Sequence, residues 1–224
     1  MCGRFTQAAP GEVIAELFAL PEVPRLAPRY NIAPTQDVGA VRVETDGRRQ
    51  FVALHWGLIP SWAKDRTIGS RMINARSETV AEKPAFRAAL RSRRCLIVAD
   101  GFYEWQRLGG RKQPYFMSLR GGGPFAFAGL WERWAGAGAE FVESCTILTT
   151  NANETVAPIH DRMPVILDPQ DHAAWLDPGI KDAARLLPLL RPQPPGAIRA
   201  YPVGLLVNNP ANDVPDCRAP LAPS

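Results

Sequence analysis

Residues 94–105 read RCLIVADGFYEW, two apolar runs separated by Asp100 and Gly101. The first run, 95–99, is continuously apolar, and the second, 102–105, contains three aromatic residues. Short apolar runs of this kind, bounded by turn-forming residues, are typical of β-strands. The sequence therefore predicts two strands in the middle of the chain.

Outward from this pair, turn signals recur at short intervals and predicted strands outnumber helices. Asp46-Gly47 predicts a hairpin between 38–44 and 51–56, and Gly109-Gly110 and 121–123 predict turns between later strands. Further strands are predicted at 115–119, 125–131, 141–149, 164–167 and 201–207. Helices are predicted at 12–20, 84–92, 170–176 and 180–190.

This order of elements predicts an α+β fold, a single domain over 1–224 with an antiparallel, barrel-like β core flanked by short helices. There is no internal repeat, and the proline-rich connector at 191–196 lies too near the end of the chain to separate two domains. A chain of 224 residues is long enough to bury a substantial core.

The composition is that of an ordinary globular protein, with 46% hydrophobic residues, 21% charged residues and a net charge of +4. This charge permits a nucleic-acid partner without establishing one. Four scattered cysteines and three histidines with no CxxC pair predict no metal, no cofactor and no disulfide framework. Without a secretory signal or an apolar run of roughly 20 residues, we expect a cytoplasmic, bacterial-type setting with no membrane partner, and a monomer.

Cys2 is the second residue, and removal of Met1 would leave it with a free α-amine beside its thiol. An α-amine titrates at roughly 7.7–8.0 and a thiol at about 8.5, so both are usable nucleophiles near neutral pH. This pair suits either an N-terminal nucleophile that attacks an amide or condensation with an aldehyde to form a thiazolidine. The alternative is that Cys2 is simply a small apolar residue.

Two further polar residues interrupt apolar surroundings. Glu104 lies between Tyr103 and Trp105, and in a strand it would face away from both. Burial would raise its pKa, as a general acid requires, whereas on an edge strand it would simply face water. His160 precedes Asp161 and Arg162 just before a predicted strand, and is either a proton shuttle or a structural histidine.

Two other segments have features of nucleic-acid binding. Asn74 and Arg76 offer an amide and a guanidinium two residues apart, which suits a sugar or carbonyl oxygen and a phosphate, although Asn74 would also serve as a cap. Trp62 and Lys64 combine an aromatic ring with a cation, as in single-stranded nucleic-acid sites, whereas Trp56 suits the core better.

Six segments occur in this order: MCGRF at 1–5, RYNIAPT at 29–35, WGLIPSWAK at 56–64, NARSE at 74–78, RCLIVADGFYEW at 94–105 and IHDRMP at 159–164. Together they resemble the SRAP (SOS-response-associated peptidase) family, whose members are also described as abasic-site processing proteins. The resemblance extends from Cys2 to at least Leu167, with 207–213 similar to the family's closing segment. Two departures are Val98, where proline is expected, and Ala63, where a second aromatic residue is common.

The resemblance implies a DNA-repair enzyme that acts on abasic sites in single-stranded DNA. It also implies a self-processing peptidase activity, allows a lyase activity, and places the protein at the nucleoid when it acts. The aminothiol of Cys2 would capture the C1′ aldehyde as a thiazolidine DNA–protein crosslink, which shields the strand from cleavage. Glu104 and His160 would move protons, and Asn74 would position the Cys2 amine or the opened sugar. The DNA contacts implied are Arg4, Asn31, Pro34, Trp62, Arg76 and Arg162.

Two other functions stay open at this point. Class II glutamine amidotransferases also begin Met-Cys-Gly and use Cys2 as an amide-attacking nucleophile, but they typically continue with Ile where this chain has Arg4. A non-catalytic module for single-stranded DNA, in which Cys2 is incidental, is the other. Glutamine hydrolysis tests the first, and equal binding of intact and abasic strands by Cys2→Ala would support the second.

Overall fold

The computed structural model describes residues 2–136 and 141–222. The strands are β1 Phe5–Gln7, β2 Arg29–Ile32, β3 Asp37–Val43, β4 Arg49–Trp56, β5 Asn74–Arg76, β6 Arg94–Ala99, β7 Gly101–Leu108, β8 Arg111–Leu119, β9 Phe125–Ala135, β10 Phe141–Asn151, β11 Arg162–Pro164, β12 Ile166–Leu167 and β13 Ile198–Pro202. The helices are α1 Gly11–Phe18, α2 Arg87–Ser92, α3 His172–Leu176 and α4 Ala183–Leu186. Several short 3₁₀ turns join them.

Five of these strands close into a barrel. β3 pairs with β4 and β6, β6 pairs with β9, and β9 pairs with β10, all antiparallel. The ring closes through a parallel contact in which Cys145 of β10 lies opposite Trp56 of β4. The predicted α+β class and barrel-like core are therefore confirmed, although the closing pair is parallel rather than antiparallel.

A second sheet stands beside the barrel in the order β13-β8-β7-β1-β2, with antiparallel pairing throughout. Because β7 lies between β8 and β1, it is a central strand and not an edge. The chain passes from the barrel to this sheet at Asp100, whose carboxylate accepts hydrogen bonds from the hydroxyl of Thr6 and from the amide of Ala8 at 2.7 Å. Asp100 therefore fixes β1, and with it the start of the chain, against β7.

Both faces of β6 are buried, which explains its continuous apolar sequence. Cys95, Ile97 and Ala99 pack in a cluster that also contains Phe5 and Phe102 of the second sheet. The alternate residues Leu96 and Val98 pack in another cluster, with residues of α1, α2 and α3. Val98, which stands where the family resemblance leads us to expect proline, is therefore a well-packed core residue.

The structure corrects several predicted elements. The predicted strand at 201–207 is wrong in its second half, because β13 ends at Pro202 and Leu205–Asn208 forms a 3₁₀ turn. The predicted helix at 180–190 reduces to α4 followed by a 3₁₀ turn that contains Pro188, which interrupts a helix because it lacks an N–H. Strands β1, β2 and β5 were not predicted, since each is only three or four residues long.

Within residues 2–136 and 141–222, no helix is long and apolar enough to cross a membrane. No group of three or more His, Cys, Asp and Glu side chains in the same ranges could hold a metal ion.

Candidate active site

Cys2 lies just before β1, and its side chain is fully buried in the cluster that contains Phe5 and Trp56. The backbone is fixed next to it, because the N–H of Tyr103 in β7 donates to the carbonyl of Arg4 at 2.9 Å. Burial raises the pKa of the Cys2 thiol, and the charge of Glu104 raises it further. The thiol is therefore held in its neutral form.

Asn74 reaches Cys2 from a different part of the fold. It opens β5, which runs parallel to β10 with Asn74 opposite Ile147. Its Nδ2 donates to the carbonyl oxygen of Cys2 at 2.8 Å. Its Oδ1 is buried and has no hydrogen-bond partner among the described residues. Asn74 is thus a strand residue that holds Cys2, and not a helix or turn cap.

Glu104 is buried in the centre of the second sheet, with 3% of its surface exposed. It lies on β7 opposite Tyr115 of β8, so the alternative of an edge-strand carboxylate in water is wrong. Burial raises its pKa to about 7, and the neighbouring carboxylate of Asp161 acts in the same direction. A carboxyl with this pKa exchanges protons readily at neutral pH.

His160 ends the loop that precedes β11, and its Nδ1 accepts a 3.0 Å hydrogen bond from the amide of Arg162. The carboxylate of Asp161 lies 2.9 Å from the same nitrogen, but the Arg162 amide already occupies its lone pair. Burial also lowers the pKa of His160. The ring is therefore neutral with its proton on Nε2, and it lines a groove of about 400 Å³ together with Trp105.

Arg4 and Asn31, both predicted DNA contacts, are tied to the closing segment of the chain. Nη1 of Arg4 donates to Oδ1 of Asn31 at 2.8 Å and to the carbonyl of Val207 at 2.7 Å. Asn31 is fully buried, and its Nδ2 donates to the carbonyls of Val207, Asn209 and Asn212. Asn31 therefore does not reach the surface, and it can affect a DNA strand only through the segment that it holds.

The two other predicted arginines differ from each other. Arg162 is buried and forms a two-pronged ion pair with Glu78, at 2.7 and 2.9 Å, while it also donates to Asn151 and to the carbonyl of Thr149. Its guanidinium is therefore engaged in the protein. Arg76 is exposed at the end of β5, two residues beyond Asn74, where it faces solvent.

Trp62 and Pro34 lie on surface loops. Trp62 is 60% exposed and lines a groove of about 320 Å³ with Lys64 and Arg71. The loop is anchored by Trp134, whose Nε1 donates to the carbonyl of Ala63 at 2.7 Å. Pro34 is half-buried between β2 and β3. The anchoring role of Trp134 was not predicted, because sequence does not identify the acceptor of an indole N–H.

The described structure thus brings Cys2, Asn74 and Glu104 together, and places His160 in a groove with Trp105, the neighbour of Glu104. Trp62 lies on a separate groove. The thiol, the amide and the carboxyl come from three regions that are more than 25 residues apart in sequence. An arrangement of a nucleophile, a group that orients it and a carboxyl with a pKa of about 7 is suited to proton-assisted nucleophilic chemistry.

Known proteins share this sequence and fold. A family model described as SOS response associated peptidase (SRAP) matches residues 1–210. Abasic site processing protein YoqW of Bacillus subtilis (strain 168) is 45% identical over 221 residues, which is 96% of this chain and 98% of the relative. Abasic site processing protein HMCES of Mus musculus is 32% identical over 270 residues, covering 98% of this chain and 76% of the relative.

A crystal structure of a protein from Bacteroides thetaiotaomicron superposes with a TM-score of 0.87 at 26% identity, covering 99% of this chain and 100% of that one. The sequence resemblance is therefore confirmed over nearly the whole length. The chain belongs to the SOS response associated peptidase (SRAP) family.

Proposed function

We propose that this protein processes abasic sites in DNA by capturing their C1′ aldehyde with the aminothiol of Cys2, as a thiazolidine DNA–protein crosslink. The substrate class is supported by relatives at 45% and 32% identity that are named abasic site processing proteins. The observation that carries the mechanism is the 2.8 Å hydrogen bond from Asn74 to the carbonyl of Cys2, beside the buried carboxyl of Glu104. The preferred substrate is single-stranded DNA, in which the sugar is accessible.

The first step needs a free α-amine, so Met1 must be removed, in our proposal by the protein itself. The amine then lies on the Cα next to the carbonyl that Asn74 holds, which limits its motion. It adds to the C1′ aldehyde of the ring-opened sugar to give a carbinolamine, which loses water to give an imine. With a pKa of roughly 7.7–8.0, a useful share of such amines is neutral at physiological pH.

Addition of the amine and loss of water both require proton transfers, and Glu104 suits them because its pKa is about 7. In its acid form it gives a proton to the departing hydroxyl of the carbinolamine, and in its base form it takes one from the amine. The neutral ring of His160 offers its Nε2 proton to a sugar oxygen. Neither group needs to be restored by an external reagent, since the net change is condensation with loss of one water.

The thiol of Cys2 completes the ring. Its sulfur bonds to C1′ while the thiol proton passes to the imine nitrogen, so atoms balance and no oxidation occurs. A buried neutral thiol needs a base for this step, and the carboxylate form of Glu104 is the titratable neighbour that raises the thiol pKa. Ring closure removes the C=N bond that would otherwise promote β-elimination, and the strand stays intact.

The test uses untagged protein with a single-stranded oligonucleotide that carries one abasic site. The control strand carries a tetrahydrofuran analogue, which has the same backbone but no aldehyde. We expect a denaturation-resistant adduct with the abasic strand alone, and none with Cys2→Ala. Cys2→Ser should give a much less durable adduct, because a hydroxyl is a poorer nucleophile for the ring closure. Adduct formation with the tetrahydrofuran strand would contradict aldehyde capture.

A further inference from the structure

The tip of the hairpin between β7 and β8 carries three cations. Arg107 lies directly opposite Lys112, and Leu108 lies opposite Arg111. Gly109 and Gly110 connect them with φ of 52° and 87°, the left-handed conformation that tight hairpin turns require. Residues 107–112 are all exposed. The basic hairpin, as we call 107–112, therefore presents its positive charge to solvent.

Within residues 2–136 and 141–222, no acidic side chain pairs with this charge, although the carboxylate of Asp161 lines the same groove as Arg107. The sequence from 105 to 131 contains Arg107, Arg111, Lys112 and Arg120 but no Asp or Glu. None of the three hairpin cations forms an ion pair with a residue in the described parts of the chain. Like charges directly opposite each other in an antiparallel pair are destabilising. An anionic ligand bound between them would relieve that repulsion.

The basic hairpin adjoins the grooves that contain His160 and Arg4. Trp105, Arg107 and Lys112 lie on one face of the two strands, because side chains alternate along a strand. Arg107 lines the groove of about 400 Å³ that contains His160. Lys112 lines a groove of about 310 Å³ with Arg4, and Trp105 lines both grooves. The two cations therefore flank Trp105, on the face of β7 opposite to Glu104.

We propose that the basic hairpin is a second DNA contact, which binds backbone phosphates of the strand that flanks the captured sugar. This inference rests on the proposed function, since it takes DNA as the ligand. A guanidinium binds a phosphate with two parallel N–H donors, and a lysine binds it as a point charge. The contact is independent of base sequence, because phosphates carry none. It adds affinity and fixes the direction of the strand through the site.

The experiment compares two triple variants that remove the same amount of charge. Arg107→Gln/Arg111→Gln/Lys112→Gln removes the hairpin cations. The control, Arg25→Gln/Lys181→Gln/Arg185→Gln, removes three exposed cations that line neither groove. Both are made in Cys2→Ala protein, so that only noncovalent binding to an intact 15-nucleotide strand is measured, over a range of salt concentrations.

On a single strand, each phosphate that a protein neutralises contributes about 0.7 to the magnitude of the slope of log affinity against log salt. The hairpin variant has three cations fewer, so its slope should be shallower than that of the parent protein by about 2. The control should differ from the parent by less than half as much. If the salt dependence of binding to the 15-nucleotide strand had the same slope for both variants, the proposal would be overturned. The hairpin would then be assigned to an acidic protein partner instead.

Two further readouts separate this proposal from the proposed function. With Cys2 intact, the hairpin variant should need a higher concentration of abasic strand than the wild type to reach half of its own maximal rate of adduct formation. It should also melt at or above the wild-type temperature, since repulsion has been removed. A wild-type protein that forms no adduct contradicts the proposed function alone, whatever the hairpin binds.

Discussion

The side-chain amide of Asn74 donates a hydrogen bond to the backbone carbonyl of Cys2 across 2.8 Å, which links the start of the chain to a strand 72 residues away. This bond fixes the peptide unit that follows the Cα of Cys2, and the amine and the thiol are both attached to that residue. In our proposal Asn74 is a positioning residue, and its own Oδ1 is buried without a hydrogen-bond partner among the described residues.

Replacing Asn74 by aspartate should slow adduct formation, because a carboxylate cannot donate to the Cys2 carbonyl. A buried group left without its partner costs about 1–3 kcal/mol, which corresponds to a decrease in rate of about 5-fold to 150-fold. The measurement is the rate of adduct formation at saturating abasic strand, with thermal melting as the check on folding. A folded Asn74→Asp protein that reacts at the wild-type rate would contradict the positioning role.

Removing the titratable carboxyl with Glu104→Gln should slow the reaction by about 10²–10⁴-fold, the usual size of a general acid–base contribution. The wild-type rate should fall above pH 7, because loss of the Glu104 proton, with its pKa of about 7, removes the acid that assists departure of water from the carbinolamine. It should also fall at lower pH as the Cys2 amine becomes protonated. In the pH–rate profile of the variant, only the decrease at low pH, which is due to the amine, should remain. If the rate of Glu104→Gln fell at both low and high pH as in the wild type, another group would carry the proton.

The predicted stacking role of Trp62 can be tested without any covalent step. Trp62→Ala in Cys2→Ala protein should weaken binding of an intact single strand by about 1–3 kcal/mol, while Trp62→Phe keeps most of the affinity. Trp134→Phe should give an intermediate weakening, because it removes the N–H that holds Ala63 and its loop. Titration by fluorescence anisotropy measures all three, and equal affinity for Trp62→Ala and wild type would exclude a stacking role.

Acid sensitivity of the fold should come in part from His172, which is buried and stacked on Phe18 at 5.5 Å. Burial lowers its pKa and outweighs the opposing hydrogen bond with the backbone of Leu167, while the charge of Arg49 lowers the pKa further and Asp171 and Asp168 raise it. The unfolded chain therefore takes up this proton first, near pH 6.5. The stability that the neutral ring contributes is fully present above pH 6.5 and is lost as the pH falls below it.

The free energy of unfolding should consequently decrease by up to about 1.4 kcal/mol for each pH unit below 6.5 through this group. Urea unfolding at pH 7.5 and pH 5.0 measures the decrease. His172→Gln should reduce the difference between the two conditions, whereas His55→Gln, which removes a side chain that is 24% exposed, should change it less. The same pH dependence in His172→Gln and wild type would contradict this assignment.

Much of the fold could be predicted from sequence because its long strands carry strong local signals. The run at 95–99 is buried on both faces, and the Asp46-Gly47 turn joins two strands that pair in register. The short strands β1, β2 and β5 could not be predicted, since three or four residues give no measurable periodicity. Their pairing is set by partners distant in the chain, as when Asn74 aligns with Ile147.

The site was predictable in its chemistry and less so in its contacts. The sequence left open whether Glu104 is buried or faces water on an edge strand, and the structure shows that it is buried. The sequence could not show that Arg162 is held by Glu78, or that Asn31 is turned toward three carbonyls of the closing segment. Both depend on residues more than 80 positions away. An exposed arginine and a buried one look alike until the fold is known.

The central claim is that a free aminothiol at Cys2 reacts with the aldehyde of an abasic site. The most direct measurement is the intact mass of untagged protein, before and after incubation with a single-stranded oligonucleotide carrying one abasic site. We predict a mass without Met1, followed by a species heavier by the oligonucleotide less one water, stable to denaturation and absent for Cys2→Ala. A protein that lacks Met1 but forms no such species, or an adduct that persists in Cys2→Ala, would contradict the claim.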